Sequence, residues 1–355
     1  MDVLHSAAME ERVKVAVVGA SGYSGEELVG LLLRHPRADL VCVTSRAEAG
    51  RRLDDVYPRF RDARRASGPV FVAPAVETII ASGATFGFLA LPHGLAAEFA
   101  APLVAAGLRV IDLSADFRLR DAAVYREFYG HEHPAPALLA GAVYGLPELR
   151  RDEIARARLV AAPGCYPTSV LVPLVPLLRR KLIDPAQILV SSMSGVSGAG
   201  RKAEVALLFS ELNESAKPYG SPKHRHLSEI EQELSLAAGL PVVINFTPHL
   251  IPITRGIVST IYATPNRGVD AGQIGAAWTE AYGAEPFVRL LEGEDRLPEI
   301  RHVANTNYID LAWRHDPRTG RVILFSAEDN LGKGASGQAV QCFNLMAEFA
   351  ETAGL

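Results

Sequence analysis

Apolar residues gather in short runs along the first part of the chain, at 13–18, 40–44, 86–90 and 110–113, and the stretches between them carry helical periodicity. Short apolar runs suit strands buried on both faces, and their alternation with helices predicts a parallel, doubly wound sheet. Ligands of such sheets lie beyond the carboxyl ends of the strands, so chemistry is expected in the loops that follow these runs. From about residue 160 the texture changes, and longer β-rich segments at 187–190, 242–245 and 256–262 predict a second domain of mixed α and β structure. A last apolar helix at 338–349, opened by a glycine turn, is expected to return the chain to the first domain. The expected fold is therefore α/β: a Rossmann-type doubly wound parallel sheet from 1–160 and 328–355, plus a second α+β substrate and oligomerisation domain over 161–327.

The first apolar run leads directly into Gly19-Ala20-Ser21-Gly22-Tyr23-Ser24-Gly25, and a helix is expected over 26–34. Gly19 permits the tight turn, Gly22 lets backbone approach a pyrophosphate at the helix N-terminus, and Gly25 allows close packing. The spacing is GxxGxxG rather than GxGxxG, but the strand before it and the helix after it are those a dinucleotide site requires. At the end of the next strand the residues are Thr44-Ser45-Arg46, with no carboxylate to hold a ribose 2′-hydroxyl. A guanidinium beside hydroxyls suits a 2′-phosphate, so the expected cofactor is NADP(H).

Pro163-Gly164-Cys165-Tyr166-Pro167-Thr168 sets a single cysteine where a second helix begins, since proline suits a first helical turn and an apolar run follows. Free backbone N–H groups and the positive end of the helix dipole would favour a thiolate there, which marks Cys165 as a nucleophile. His224-Arg225-His226 precedes Ser228-x-x-Glu231, the spacing of a capping box, which predicts a helix starting at Ser228 with both histidines extended before it and able to address one site. Either imidazole could serve as base toward a thiol and then as acid.

Other strand ends carry candidates. Pro92 and His93 follow the third run, where His93 beside Gly94 reads as a turn former; Ser114 and Arg118 follow the fourth, and Arg118 could clamp a phosphate or carboxylate. Gly195 and Gly198, in a small-residue loop ending in Arg201-Lys202, read either as a connector or as backbone brought close to an anionic ligand. Asn330, Lys333 and Gly334 are expected to face cofactor or substrate, while Cys42 and Cys342 read as packing.

At 355 residues the chain exceeds the usual size of a single core, and 48% apolar with 21% charged residues is ordinary globular usage, so two cores are affordable. A net charge of −4 gives no polyanion-binding surface, and the basic cluster at 59–65 is broken by Asp62 and reads as a solvated loop; no nucleic-acid partner is expected. Three scattered cysteines form neither a metal spacing nor a disulfide framework, which suits a reducing compartment and no metal. The first dozen residues lack the apolar core of a signal peptide, and no apolar run reaches the ~20 residues that span a membrane.

Together a nicotinamide cofactor, a cysteine nucleophile, an imidazole and anion-binding arginines suit reduction of an acyl phosphate through a thioester. The segments GASGYSG, LPHG, DLSADFR, PGCYPT, HRH with the following EIEQ, and DNLGKGASGQA closely resemble those of the N-acetyl-gamma-glutamyl-phosphate reductases of arginine biosynthesis. The resemblance covers nearly the whole chain and implies that Cys165 is the thioester nucleophile, that His224 and His226 lie in the active site, that NADP(H) is the cofactor, and that the enzyme is a cytoplasmic homodimer or homotetramer; Glu229, with Ser114 and Arg118, is expected to bind substrate. Leu227-Ser228 stands where that pattern often has proline. The rival readings are a carrier-bound aminoadipyl-phosphate reductase of lysine biosynthesis, aspartate-semialdehyde dehydrogenase, and a catalytically silent NADP-binding regulator. The PGCYPT form speaks against the first and HRHxxEIEQ against the second.

Overall fold

The computed structural model describes residues 12–61, 68–293 and 295–355. The stretch before residue 12 and positions 62–65 of the basic cluster lie outside the described residues.

The first sheet contains seven parallel strands: β1 (Val13–Val18), β2 (Ala38–Thr44), β3 (Phe71–Val72), β4 (Phe86–Leu89), β5 (Arg109–Asp112), β6 (Ala142–Tyr144) and β7 (Leu159–Ala161). Their spatial order is β3-β2-β1-β4-β5-β7-β6, so the winding reverses between β1 and β4. A crevice opens at such a reversal, beyond the strand ends. The four expected strands are present within two residues of their expected bounds, and β1 through β5 are buried on both faces because helices cover each side.

The second sheet is mixed, with β8 (Ile183–Ser194), β9 (Lys217–Pro218), β10 (Asn245–Leu250), β11 (Ile257–Pro265), β12 (Val288–Leu290), β13 (Ile309–Asp316) and β14 (Arg321–Glu328) in the order β12-β13-β14-β11-β8-β10-β9. The strand expected at 242–245 begins only at Asn245. The backbone N–H groups of Val242 and Ile244 are taken by Ser235 Oγ (2.9 Å) and Glu231 Oε1 (3.1 Å), so that apolar run ties to a helix instead of a ladder.

Against the second sheet packs the helix Cys165–Arg179, buried along nearly its whole length. Pro173 and Pro176 lie inside it, and each removes the N–H that would bond the carbonyl four residues earlier. Side chains replace both donors: Ser326 Oγ donates to Ser169 O (2.7 Å) and Tyr282 Oη donates to Val172 O (2.6 Å). The helix therefore runs on through both prolines. Ser169, Ser192 and Ser259 join hydroxyls beneath its first turns at 2.7–2.8 Å, fixing its N-terminus against β8 and β11.

The helix Gly337–Met346 packs its Ala339, Val340, Phe343 and Met346 into the core of the first sheet, as expected, and Cys342 is buried there against Gly145 O. A π-turn over Gly332–Ser336 leads into it. Among the described residues no helix is long and apolar enough to cross a membrane, and no cluster of side chains could hold a metal ion.

Candidate active site

Gly164 caps the central helix in an extended conformation (φ −67°, ψ 154°), and no side chain caps that end. Its missing Cβ is required, because that atom would lie 2.7 Å from His226 Nε2 and 3.0 Å from an Arg118 guanidinium nitrogen. The chain just before Cys165 is thus pressed against an imidazole and a guanidinium. Cys165 is the first residue of the helix and is partly exposed, whereas Cys42 and Cys342 are buried.

Glu229 holds this corner. Its Oε1 accepts from the Gly164 N–H (2.9 Å) and from Tyr144 Oη (2.6 Å), while Oε2 faces Arg118 at 3.4 Å. All three partners donate, the arrangement of a carboxylate, although burial pushes its pKa upward. Arg118 is buried and bonds Ala162 O and Leu113 O at 2.8 Å each, so the loop after β5 aims its remaining nitrogen at Gly164.

The histidines meet the site differently from expectation. The helix begins at His226, not Ser228, and Ser228 Oγ donates to Arg225 O (2.9 Å), so no capping box forms. The hydroxyl is taken by its own preceding turn. The rings nevertheless converge, with centroids 5.0 Å apart and Tyr166 edge-on to both. His224 Nδ1 accepts the His226 N–H (3.1 Å), while His226 Nδ1 is enclosed without a partner. Burial pushes His224 down to about 4 and His226 well below the usual imidazole value.

The thiolate expected at the helix end is corrected by its surroundings. Burial above all, with Glu328 acting in the same direction, pushes the Cys165 thiol up to about 12, outweighing the Tyr166 N–H, Arg118 and Arg225. Burial thus favours the neutral thiol and the neutral imidazoles.

On the nucleotide side, Gly19 has φ +86° and a Cβ there would strike Ala90 O at 2.4 Å, while a Cβ on Gly25 would strike Gly19 O at 2.4 Å. Both glycines serve the turn and its packing. Gly22, by contrast, faces open space, and it precedes the uncapped N-terminus of the helix Tyr23–Arg34. Ser21 and Ser45 join hydroxyls at 2.9 Å across the ends of β1 and β2, Arg46 is exposed, and Ser24 O accepts from Ser336 Oγ at 2.8 Å. Pro92 lies exposed at the end of β4, on the same side as Gly19. An open backbone cradle with hydroxyls and a free guanidinium suits a dinucleotide phosphate.

Several expected ligands are otherwise engaged. Lys333 is fully buried and donates to Glu148 Oε1 (2.6 Å) and Gln341 Oε1 (2.7 Å), so its ammonium does not face the crevice. Asn330 clasps the Gly256 N–H (2.7 Å) and Ser197 Oγ (2.9 Å). Ser114 is consumed within its loop by Asp112 Oδ2 (2.8 Å) and the Asp116 N–H (3.1 Å). A Cβ on Gly195 would meet Thr254 and Arg255 backbone at 2.8 Å, so that glycine serves packing, and one on Gly334 would meet Cys165 Cβ at 2.7 Å. Tyr144 escaped sequence reasoning altogether, and Gly164 was noted only as part of the segment around Cys165. Arg201, noted only as a loop cation, lies over the Tyr23 ring and bonds Ser21 O (3.1 Å) and Glu26 (3.3 Å), carrying the second domain onto the nucleotide loop.

A reversing parallel sheet followed by a mixed sheet, with a cysteine-headed helix packed on the second, defines a two-domain oxidoreductase of the semialdehyde dehydrogenase class. The semialdehyde dehydrogenase NAD-binding domain matches residues 14–157 and the semialdehyde dehydrogenase dimerisation domain matches 165–330. Aspartate semialdehyde dehydrogenase II from Vibrio cholerae superposes with a TM-score of 0.72 over 95% of this chain and 99% of that one, at 20% identity. The chain is 59% identical to the N-acetyl-gamma-glutamyl-phosphate reductase of Akkermansia muciniphila, covering 97% of this chain and 99% of that protein, and 50% identical to that of Citrifermentans bemidjiense, covering 97% and 98%. It belongs to the N-acetyl-gamma-glutamyl-phosphate reductase family.

Proposed function

We propose that this enzyme reduces N-acetyl-L-glutamyl 5-phosphate to N-acetyl-L-glutamate 5-semialdehyde and phosphate with NADPH, the third step of arginine biosynthesis from glutamate. The observation that carries this reading is the corner where Cys165 heads the buried helix with His226 and Arg118 pressed against Gly164. Cys165 Sγ attacks the acyl carbon, phosphate leaves, and a thioester remains. Because the thiol and the imidazole rest neutral, His226 takes the proton as the sulfur–carbon bond forms, not beforehand. Free N–H groups of the first helical turn face the developing oxyanion, and Glu229 fixes the Gly164 N–H that begins that turn. Arg118 supplies positive charge for the substrate's anionic group.

NADPH, when bound, supplies the hydride. Its pyrophosphate would lie over Gly22 and the Tyr23–Arg34 helix end, and its 2′-phosphate against Ser45 and Arg46, because the nearby Glu48 carboxylate turns instead to Arg51 at 2.5 Å. The second sheet carries Leu189, Met193 and Tyr262 exposed on one face, a surface suited to pairing with another copy, and the cytoplasm suits its free cysteines.

The test is phosphate-dependent NADP reduction with N-acetylglutamate semialdehyde, with Cys165→Ser and aspartate semialdehyde as comparisons. Loss of activity in the variant and preference for the acetylglutamate aldehyde are expected. A wild-type enzyme inactive on both aldehydes that still binds NADPH refutes the assigned reaction. Arg46→Ala should weaken NADP binding and leave NAD binding unchanged; equal loss of both overturns the 2′-phosphate assignment.

A further inference from the structure

Glu328 ends β14 beside the nucleophile and has no role in the reaction outlined above. Its carboxyl is fully buried, and neither oxygen has a hydrogen-bond partner in the protein. An unpaired charge in such a place is far costlier than a neutral acid, so the group rests protonated. Burial is the chief cause; Asp329 and Glu148 act in the same direction, and Lys333 opposes them while bound to Glu148 and Gln341. Across the sheet, Glu328 pairs with Ile257 of β11 and Ile309 of β13, which bring no counter-charge.

The remaining side opens on the bare Cα of Gly334. A Cβ there would stand 2.7 Å from Cys165 Cβ and 3.0 Å from Glu328 Oε1, so the cysteine and the carboxyl face each other across one gap. Arg118 and Arg225 act on the sulfur in the opposite sense; Tyr166 and Tyr219 act on it as neutral groups, while His226 lies against the neighbouring Gly164 and His224 meets the Tyr166 ring edge-on.

We propose that Glu328 is a positioning residue for Cys165: the two groups form a coupled pair that carries at most one negative charge, so the carboxyl keeps its proton whenever the sulfur gives up its own. This deepens the acyl-transfer reading and rests on Cys165 being the nucleophile. In the thioester the sulfur is neutral and Glu328 is indifferent to it. When the carbon–sulfur bond breaks and its electron pair returns to sulfur, an ionised Glu328 would repel the thiolate and a neutral one does not. Groups this close titrate as a pair.

The experiment is alkylation of Cys165 by iodoacetamide between about pH 6 and 11, read by mass spectrometry on the full-length protein, Glu328→Gln and Glu328→Leu. As pH rises the carboxyl, the stronger acid of the two, competes with the sulfur for the pair's one negative charge, so removing it is expected to move the midpoint of thiolate formation at least about one pH unit lower. That is about tenfold more thiolate at a fixed lower pH and about threefold faster alkylation, because a less basic thiolate is a weaker nucleophile. The Leu variant is expected to melt no earlier than the parent, since it removes an unpartnered polar group. Unshifted profiles in both folded variants overturn the proposal. Turnover of the wild type, assayed in parallel, reports on the acyl-phosphate reading separately: an inactive enzyme with shifted profiles refutes the reaction and supports the pair, and an active one with unshifted profiles does the reverse.

Discussion

Gly164→Ala tests the active-site corner without removing any functional group. The backbone at 164 has φ −67° and ψ 154°, which alanine adopts freely, so the perturbation is purely steric. The new methyl would stand 2.7 Å from His226 Nε2, 2.8 Å from its Cε1 and 3.0 Å from an Arg118 nitrogen. Ordinary carbon–nitrogen contact lies near ~3.5 Å, so imidazole and cysteine must separate by roughly 0.8 Å, and overpacking of this kind costs about 1–3 kcal/mol. A misplacement approaching ~1 Å at a reacting pair lowers turnover about 100-fold. Steady-state kinetics should therefore show kcat reduced 30- to 100-fold, on the order expected for such a displacement, with NADPH affinity unchanged by fluorescence titration. The decisive comparison is a double-mutant cycle with His226→Ala. Once the ring is gone the methyl has room, so Gly164→Ala should cost little further in that background. A folded Gly164→Ala enzyme with wild-type kcat, or a cycle that is strictly additive, refutes the pairing of Cys165 with His226.

Tyr282→Phe removes the donor that replaces the one lost at Pro176, leaving Val172 O buried and unpaired; urea denaturation should report about 1–3 kcal/mol of lost stability. Lys333→Met strands the Glu148 carboxylate inside the protein and should cost about 3–5 kcal/mol, with much of the loss recovered in Lys333→Met/Glu148→Leu; equal stability of single and double variants would refute a buried ion pair. Burial, with Asp116 nearby, raises Asp112 to about 7. Since the folded state holds this proton more tightly than the unfolded chain, the associated stability is complete below about pH 4 and is lost as pH rises through about 7, roughly 4 kcal/mol in all. Melting temperatures of Asp112→Asn between pH 5 and 8 should fall less steeply than those of the wild type, and parallel slopes would count against the assignment.

Much of the molecule was legible along the chain because its signals are local. An apolar run, a glycine turn and a helical period are set by neighbouring residues, and they located β1, β2, β4 and β5, the nucleotide loop and the helix headed by Cys165. The same local logic failed where a side chain far away competes for a backbone group. Glu231 and Ser235 drew 242–244 out of the ladder, and Ser326 and Tyr282 let a helix pass through two prolines.

Charge states were the least legible, because they depend on burial and on partners brought together only by folding. A cysteine at a helix N-terminus reads as a thiolate, yet a carboxyl from β14 and the surrounding protein reverse that, and a lysine beside two glycines reads as a ligand until Glu148 encloses it. The sequence by itself determined strands β1, β2, β4 and β5 of the first sheet, the glycine turn after β1 and the helix headed by Cys165. Tertiary structure decided which side chains meet, which are already engaged, and where each proton rests, since desolvation and hydrogen bonding act across distances in space that the chain order does not encode.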